Sequence, residues 1–312
     1  MKLILPHVLS LAACAAIAAP SSGLAQDSFA PQVDPAISLP GLTSYAPSAP
    51  SAADAVNLRA IRVEALLTDA SEPMKEGLTW RIFSPIPGPD GKLPRLASAE
   101  GGAPDFELAP GEYFVHVAFG RAGVTKKLAV PASGAVEKQS LVLNAGGLVL
   151  NAVSGSDARI PAAKLTFKIY KADDSVDIEQ QQLVVENVRP NTIIRLNAGT
   201  YHIVSSYGNV NAVIRSDIRV EAGKLTEAII QHRAAQVTLK LVSEPGGEAI
   251  ADTAWSILTS AGDVVSESVG AFPTIVLAEG QYAAVARNKD KVYQRDFEVM
   301  AGNDGDVEVL LK

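Results

Sequence analysis

One pattern recurs three times along the chain and limits its fold more than any other feature. FELAPGEY at 106–113, IRLNAGTY at 194–201 and IVLAEGQY at 275–282 share a leucine, a glycine and a tyrosine at fixed spacing: Leu108, Gly111 and Tyr113; Leu196, Gly199 and Tyr201; Leu277, Gly280 and Tyr282. Upstream of each lies an opening strand pattern, IRVEALL from Ile61, LVLNAV from Leu148 and VTLKLV from Val237. A strand centred on an aromatic follows, LTWRIF with Trp80, LTFKIY with Phe167 and TAWSIL with Trp255, at intervals of 19, 19 and 18 residues from the opening anchors. Downstream come alternating stretches, then strands ending at Val130, Val220 and Val299, a glycine turn and a closing apolar run. The third copy diverges most, with Arg287 and Asn288 where the first two have an aromatic and a glycine.

Self-similarity of this kind means repeated structural units. Alternation of apolar and polar residues, punctuated by Gly, Pro and Asn, predicts about seven strands per unit and almost no helix. Apolar residues make up 47% of the chain but aromatics only 5%, which suits several modest sheet cores better than one aromatic-lined cavity. Each unit is large enough to be a complete two-sheet sandwich rather than a propeller blade. The expectation is an all-β chain of three tandem antiparallel β-sandwich domains, 58–144, 145–231 and 232–312, with boundaries near Asn144 and His232.

The recurring motif predicts a tight connection between antiparallel strands. Gly111, Gly199 and Gly280 supply positive φ at little steric cost. Leucine and tyrosine then point into the core, the tyrosine hydroxyl reaching a backbone carbonyl, while Glu112, Thr200 and Gln281 face water. Trp80, Phe167 and Trp255 share a register in a central alternating strand, so they read as core aromatics before they read as a sugar-stacking set.

The L-x-x-G-x-Y turn, followed by an alternating strand and a second glycine, resembles transthyretin-like sandwich modules, including those related to the carboxypeptidase regulatory domain and the PEGA surface modules. Taken together, the three units over Leu58–Lys312 are similar to exported proteins of alphaproteobacteria of uncharacterised function. The resemblance implies adhesion, scaffolding or ligand binding without catalysis; a turn motif speaks for fold and is nearly silent on function.

The first residues read as a targeting segment. Met1-Lys2 precedes an apolar run from Leu3 to Ala19, and small residues at Gly23 and Ala25 fit export with cleavage near Ala25, giving a signal peptide over 1–25. The only cysteine, Cys14, lies in LAAC, which resembles a lipoprotein signal; the apolar run continuing past it favours ordinary cleavage, with a lipid anchor at Cys14 as the alternative. Residues 26–57, rich in Pro, Ser and Ala, read as a disordered spacer. No transmembrane span is expected in the mature chain. The net charge of −7, one unit more negative once Lys2 is removed, argues against nucleic acid or anionic lipid as partners.

Enzyme signatures are sought without success, so no catalytic residue, cofactor or metal site is expected. His116, His202 and His232 lack ligand spacing to one another and read as surface histidines. The acidic groups Asp173, Asp174 and Asp177, and Asp304 and Asp306, could collect calcium, but neither has the ligand spacing of a calcium loop, and solvated turns are the plainer reading. GRAG at 120–123 reads as an isolated glycine turn. The functional expectation is an exported, non-catalytic cell-envelope protein, periplasmic or secreted, presenting sandwich loops such as SPIPGPDGKLPRL or sheet edges to a protein or polysaccharide partner. A ligand-free structural spacer is the alternative, and an enzyme with carboxylates gathered between domains is a third reading.

Overall fold

A computed structural model describes residues 57–172 and 181–312. The proposed leader, Cys14, the spacer up to residue 56, and Asp173, Asp174 and Asp177 lie outside them. Among the described residues the chain is all-β, with a single 3-10 turn at Ala162–Lys164 and no α-helix. No helix there is long and apolar enough to cross a membrane.

The first seven strands are β1 (Arg59–Leu66), β2 (Thr79–Phe83), β3 (Arg95–Glu100), β4 (Asp105–Leu108), β5 (Gly111–Phe119), β6 (Ala122–Val130) and β7 (Gln139–Val142). The second set is β8 (Ala145–Ser154), β9 (Ala158–Arg159), β10 (Leu165–Lys171), β11 (Leu183–Val188), β12 (Ile194–Asn197), β13 (Gly199–Tyr207), β14 (Val213–Val220) and β15 (Leu225–His232). The third is β16 (Ala234–Val242), β17 (Ala254–Thr259), β18 (Val264–Val269), β19 (Thr274–Ala278), β20 (Gly280–Asn288), β21 (Lys291–Val299) and β22 (Gly305–Leu310).

Each set makes a smaller and a larger sheet. The smaller sheets run β4-β1-β7, β12-β8-β15 and β19-β16-β22, with the short β9 also on β8; the larger run β3-β2-β5-β6, β11-β10-β13-β14 and β18-β17-β20-β21. Alternation in the sequence becomes two faces in the structure, because successive strand residues point to opposite sides. Thus Ile61, Val63 and Ala65 of β1 and Trp80 and Ile82 of β2 are all fully buried, while Arg62 and Arg81 face outward. Three hydrophobic clusters result, centred on Trp80, Phe167 and Trp255, which are at most 1% exposed. The indole N–H of Trp80 reaches the carbonyls of Gly101 and Gly102 at 3.3 and 3.2 Å, and that of Trp255 reaches Gly270 O at 3.0 Å. Phenylalanine serves at 167, where no N–H needs a partner.

The larger sheets are antiparallel throughout, but each smaller sheet holds one parallel pair. β1 pairs with β7, β8 with β15 and β16 with β22 in parallel, so the opening and closing strands of each set lie side by side in the same direction. Parallel pairing has a topological consequence: the chain leaves a unit at the end opposite to where it entered. The next opening strand therefore begins at that end. Leu143 N–H binds Leu66 O at 2.9 Å and Ala145 N–H binds Leu67 O at 3.2 Å, carrying the chain from β7 into β8 across the end of β1.

Candidate functional site

The repeated motif differs from the expected hairpin in one respect. β4 and β5 belong to different sheets, as do β12 and β13, and β19 and β20, so the motif carries the chain from the smaller sheet across the core edge to the larger one. The glycines make the bend with φ of +155°, +154° and +155° at Gly111, Gly199 and Gly280, a conformation open essentially to glycine alone. Leu108, Leu196 and Leu277 are buried at 7%, 1% and 0% exposure. The hydroxyls of Tyr113, Tyr201 and Tyr282 donate to the carbonyls of Ala109, Asn197 and Ala278 at 2.9, 2.8 and 3.0 Å, four residues back in each case. A buried tyrosine tied to a nearby upstream backbone carbonyl is the corner device of sandwich domains. Burial raises the hydroxyl pKa of Tyr201. Each hydroxyl donates to the backbone of its own corner, so the motif does structural work at all three places.

A Cβ at Gly199 would meet nothing within 4 Å, so only backbone conformation forbids a side chain there. Gly199→Val is expected to lower the unfolding free energy by about 2–3 kcal/mol. Urea titration read by circular dichroism checks this, since both tryptophans lie in the other two units, and an unchanged midpoint would refute the conformational argument.

Side-chain polarity is spent at the junctions between sets. At the first, Asn197 of the second corner accepts from Gly123 N–H through Oδ1 at 3.1 Å and donates through Nδ2 to Gly123 O and Leu143 O at 3.2 and 2.8 Å. At the second, Asn211 of the β13–β14 hairpin accepts from Ala278 N–H at 2.9 Å and donates to the Tyr282 hydroxyl at 2.8 Å. Ala278 holds the place of Asn197, so the clamp has moved to the other side of the interface. The hairpin bearing Asn211 is two residues longer than its counterparts: Gly199 pairs with Val220, 21 residues on, whereas Gly111 pairs with Val130 and Gly280 with Val299, 19 residues on.

Two glycines complete these junctions. Gly120 and Gly208 sit at hairpin tips with φ of +65° and +72°, and a Cβ on them would come within 2.9 Å of Arg195 Cβ and 2.8 Å of Val276 Cβ in the following unit. The Arg195 guanidinium also lies 4.5 Å from the Phe119 ring centroid, a cation–π contact across the first junction. GRAG is therefore a docking surface rather than an isolated turn. In the third set the tip residue is Lys289, at φ +56°. Register shows that Lys289, and not Asn288, stands where the others have glycine.

The histidines part company. His116 Nδ1 lies 2.9 Å from the Thr125 hydroxyl on the outer face, where burial and the nearby Arg81 lower its pKa. His202 pairs with Asp217 on the same kind of face. His232 corrects the surface reading: it is 0% exposed, with Nε2 2.7 Å from Ser205 Oγ, the Tyr207 ring edge-on at 6.0 Å and Nδ1 without a hydrogen-bond partner. Burial brings its pKa down to about 4. A serine hydroxyl against an imidazole is the first half of a nucleophilic pair, but Ser205 is also 0% exposed, so substrate has no access to it. Period-two burial running Ile230, His232, Ala234 is the signal that would have found this histidine in the sequence.

The acidic residues near the last turn have structural partners. Asp304 accepts from Gln236 N–H at 2.7 Å, tying the turn to β16, and Asp306, in β22, pairs with Lys240 of the neighbouring β16. Of the stretch SPIPGPDGKLPRL, Arg95 and Leu96 already belong to β3, and the loop 84–94 is held by its own bonds, Gly88 N–H to Lys92 O at 2.8 Å and Gly91 N–H to Gly88 O at 2.9 Å, leaving Ile86 and Leu93 exposed.

Residues 236–311 match the model of the Rhizobiales growth-associated tandem repeat domain. A comparison with curated proteins finds no match. Among solved structures, the TIE protein of Bacillus anthracis is 16% identical with a TM-score of 0.25, over 82% of this chain and 50% of that one, so this chain spans about half its length. A streptococcal ancillary pilin is 11% identical over 82% of this chain and 99% of its own, with a TM-score of 0.26. The minor pilin GBS52 of Streptococcus agalactiae is 13% identical over 56% and 95%, with a TM-score of 0.29.

Proposed function

We propose that the chain is an exported, non-catalytic protein of the cell envelope, built as three sandwich domains over 58–144, 145–231 and 232–312. It holds loops and sheet edges in a fixed mutual register for contact with a protein or polysaccharide partner. The observation that carries this reading is the pair of junction asparagines: Asn197 and Asn211 each bind across a junction through both ends of the amide. Such bonds fix orientation rather than tether loosely, and a fixed orientation lets several weak contacts act together on one partner. The similarity of residues 236–311 to a growth-associated tandem repeat supports a role at the growing envelope.

A ligand-free spacer is the second reading, favoured by the unlike outer faces of the larger sheets. One cross-strand row reads Arg81, His116, Thr125 in the first set, Lys168, Val204, Arg215 in the second and Ser256, Val285, Gln294 in the third. In-cell crosslinking of the tagged protein, combined with a deletion strain scored for growth and envelope integrity, separates the two. A specific crosslinked partner is expected; an envelope defect without a partner selects the spacer, and neither result would sink both.

A further inference from the structure

We propose that the chain associates head to tail with a second copy of itself, the β20–β21 hairpin tip of its third unit meeting the β4–β5 corner of its first through the counterparts of the surfaces that dock successive units within the chain. The internal junctions define those surfaces. In the first, the hairpin tip Gly120 lies against Arg195 and the N–H of Gly123 binds Asn197. The β20–β21 hairpin has the same length as the β5–β6 hairpin, so Lys289 occupies the place of Gly120 and Val292 that of Gly123. Counting from the corner leucines, Glu107 occupies the place of Arg195 and Ala109 that of Asn197.

The residues at these four places are complementary. Where Gly120 meets Arg195 inside the chain, a head-to-tail contact would set Lys289 against Glu107. Both are exposed, and neither has an ion-pair partner among the described residues. Arg287 and Lys291 lie two residues either side of Lys289, exposed and without an ion-pair partner among the described residues, and with the exposed Asp290 beside Lys289 in the same loop the tip carries three cations against one carboxylate, a net positive charge. In place of the asparagine clamp there would be an apolar pair, with Val292, 63% exposed, facing Ala109. Lys289 keeps the left-handed backbone of Gly120 and Gly208 although a lysine there is strained, which preserves the shape of the docking tip. Its Cβ, absent from the two glycines, sets the second copy slightly further away than an internal neighbour. A long flexible ion pair spans such a gap, and the contact is weaker than the internal ones and sensitive to salt.

Sedimentation velocity of the full chain over a range of concentrations, in dilute buffer and in high salt, tests the proposal. Average mass is expected to rise with concentration in dilute buffer and fall with salt. Lys289→Glu and Glu107→Lys should each weaken association roughly tenfold, and the double variant should restore it, because the swapped pair is again opposite in charge. Both positions are exposed, so the melting curves of the variants should stay near that of the parent. Carbodiimide crosslinking of mixed isotope-labelled and unlabelled chains should join Lys289 of one copy to Glu107 of another. A constant monomer mass, association indifferent to both reversals, or a double variant weaker than either single would overturn it.

Discussion

Gly146→Ala is expected to lower the unfolding free energy of the chain by about 3–5 kcal/mol, whereas Gly147→Ala, one residue on, should cost about 1 kcal/mol. The two glycines open β8, one pointing to each face of its sheet. A Cβ on Gly146 would fall well inside van der Waals contact of the Glu221 carbonyl oxygen and within 2.9 Å of Val220 Cγ1 and 3.0 Å of Lys224 O. Two backbone bonds hold that turn down: Gly223 N–H to Ala145 O at 2.8 Å and Gly147 N–H to Lys224 O at 2.9 Å. Making room for one methyl group means lifting the turn and losing both. On Gly147 the nearest atom to a Cβ is Leu225 Cδ1 at 2.7 Å, the end of a flexible and half-exposed side chain that can rotate aside. Urea unfolding of both variants against the parent measures the difference. Equal effects would mean that the turn yields without loss and that the close approach is not a constraint.

The contrast between these glycines shows what the sequence could and could not disclose. The succession of strands along each unit was legible because alternation is local: Ile61, Val63 and Ala65, or Trp80 and Ile82, announce a buried face without reference to any partner strand. The corner motif was legible as a glycine turn with an inward tyrosine for the same reason. Which sheet each strand joins was not, since a connection between hydrogen-bonded neighbours and one that crosses the core both ask for a glycine between two apolar residues. The parallel pairing of β1 with β7 joins residues far apart in sequence, and no local pattern encodes it. Junction residues were hidden more deeply. Gly120 looks like any turn glycine until Arg195 is seen against it, and Asn197 looks like a turn asparagine until Gly123 is seen within its reach. Their demands arise from contacts across a junction, and comparison of Gly120, Gly208 and Lys289 is the sequence trace such contacts leave.

Stability is expected to fall by roughly 3 kcal/mol as the pH drops from about 6.5 to about 4, through His232. The sign follows from where the proton binds. In the unfolded chain the imidazole takes up a proton near its ordinary value of about 6.5, while in the folded protein burial brings its pKa down to about 4. Between those values the unfolded state binds more protons, so acid favours unfolding, with a slope approaching about 1.4 kcal/mol per pH unit; above about 6.5 and below about 4 this contribution is flat. The structural cause is plain: protonation makes both ring nitrogens donors, and although Nε2 has the Ser205 hydroxyl, among the described residues Nδ1 has no acceptor and no carboxylate pairs with the ring. Tyr207 faces it edge-on, with its own hydroxyl pKa raised by burial and by the nearby Asp304, and so stays neutral throughout the window. His116, with a pKa lowered by burial and Arg81, acts in the same direction. The carboxylates of Asp105 and Glu221, held low by Arg62 and Lys224, act only at lower pH. Urea unfolding at pH 7, 6 and 5 of the parent and of His232→Gln isolates the group: the difference between their slopes belongs to His232 alone. Parallel slopes would show that the buried ring is hydrated or charged in the folded protein. Because His232 ends β15, with Arg233 alone between it and the start of β16 at Ala234, its protonation should loosen the second junction before the cores melt. Amide exchange at pH 5 should then rise first at Ala278, whose N–H is held by Asn211.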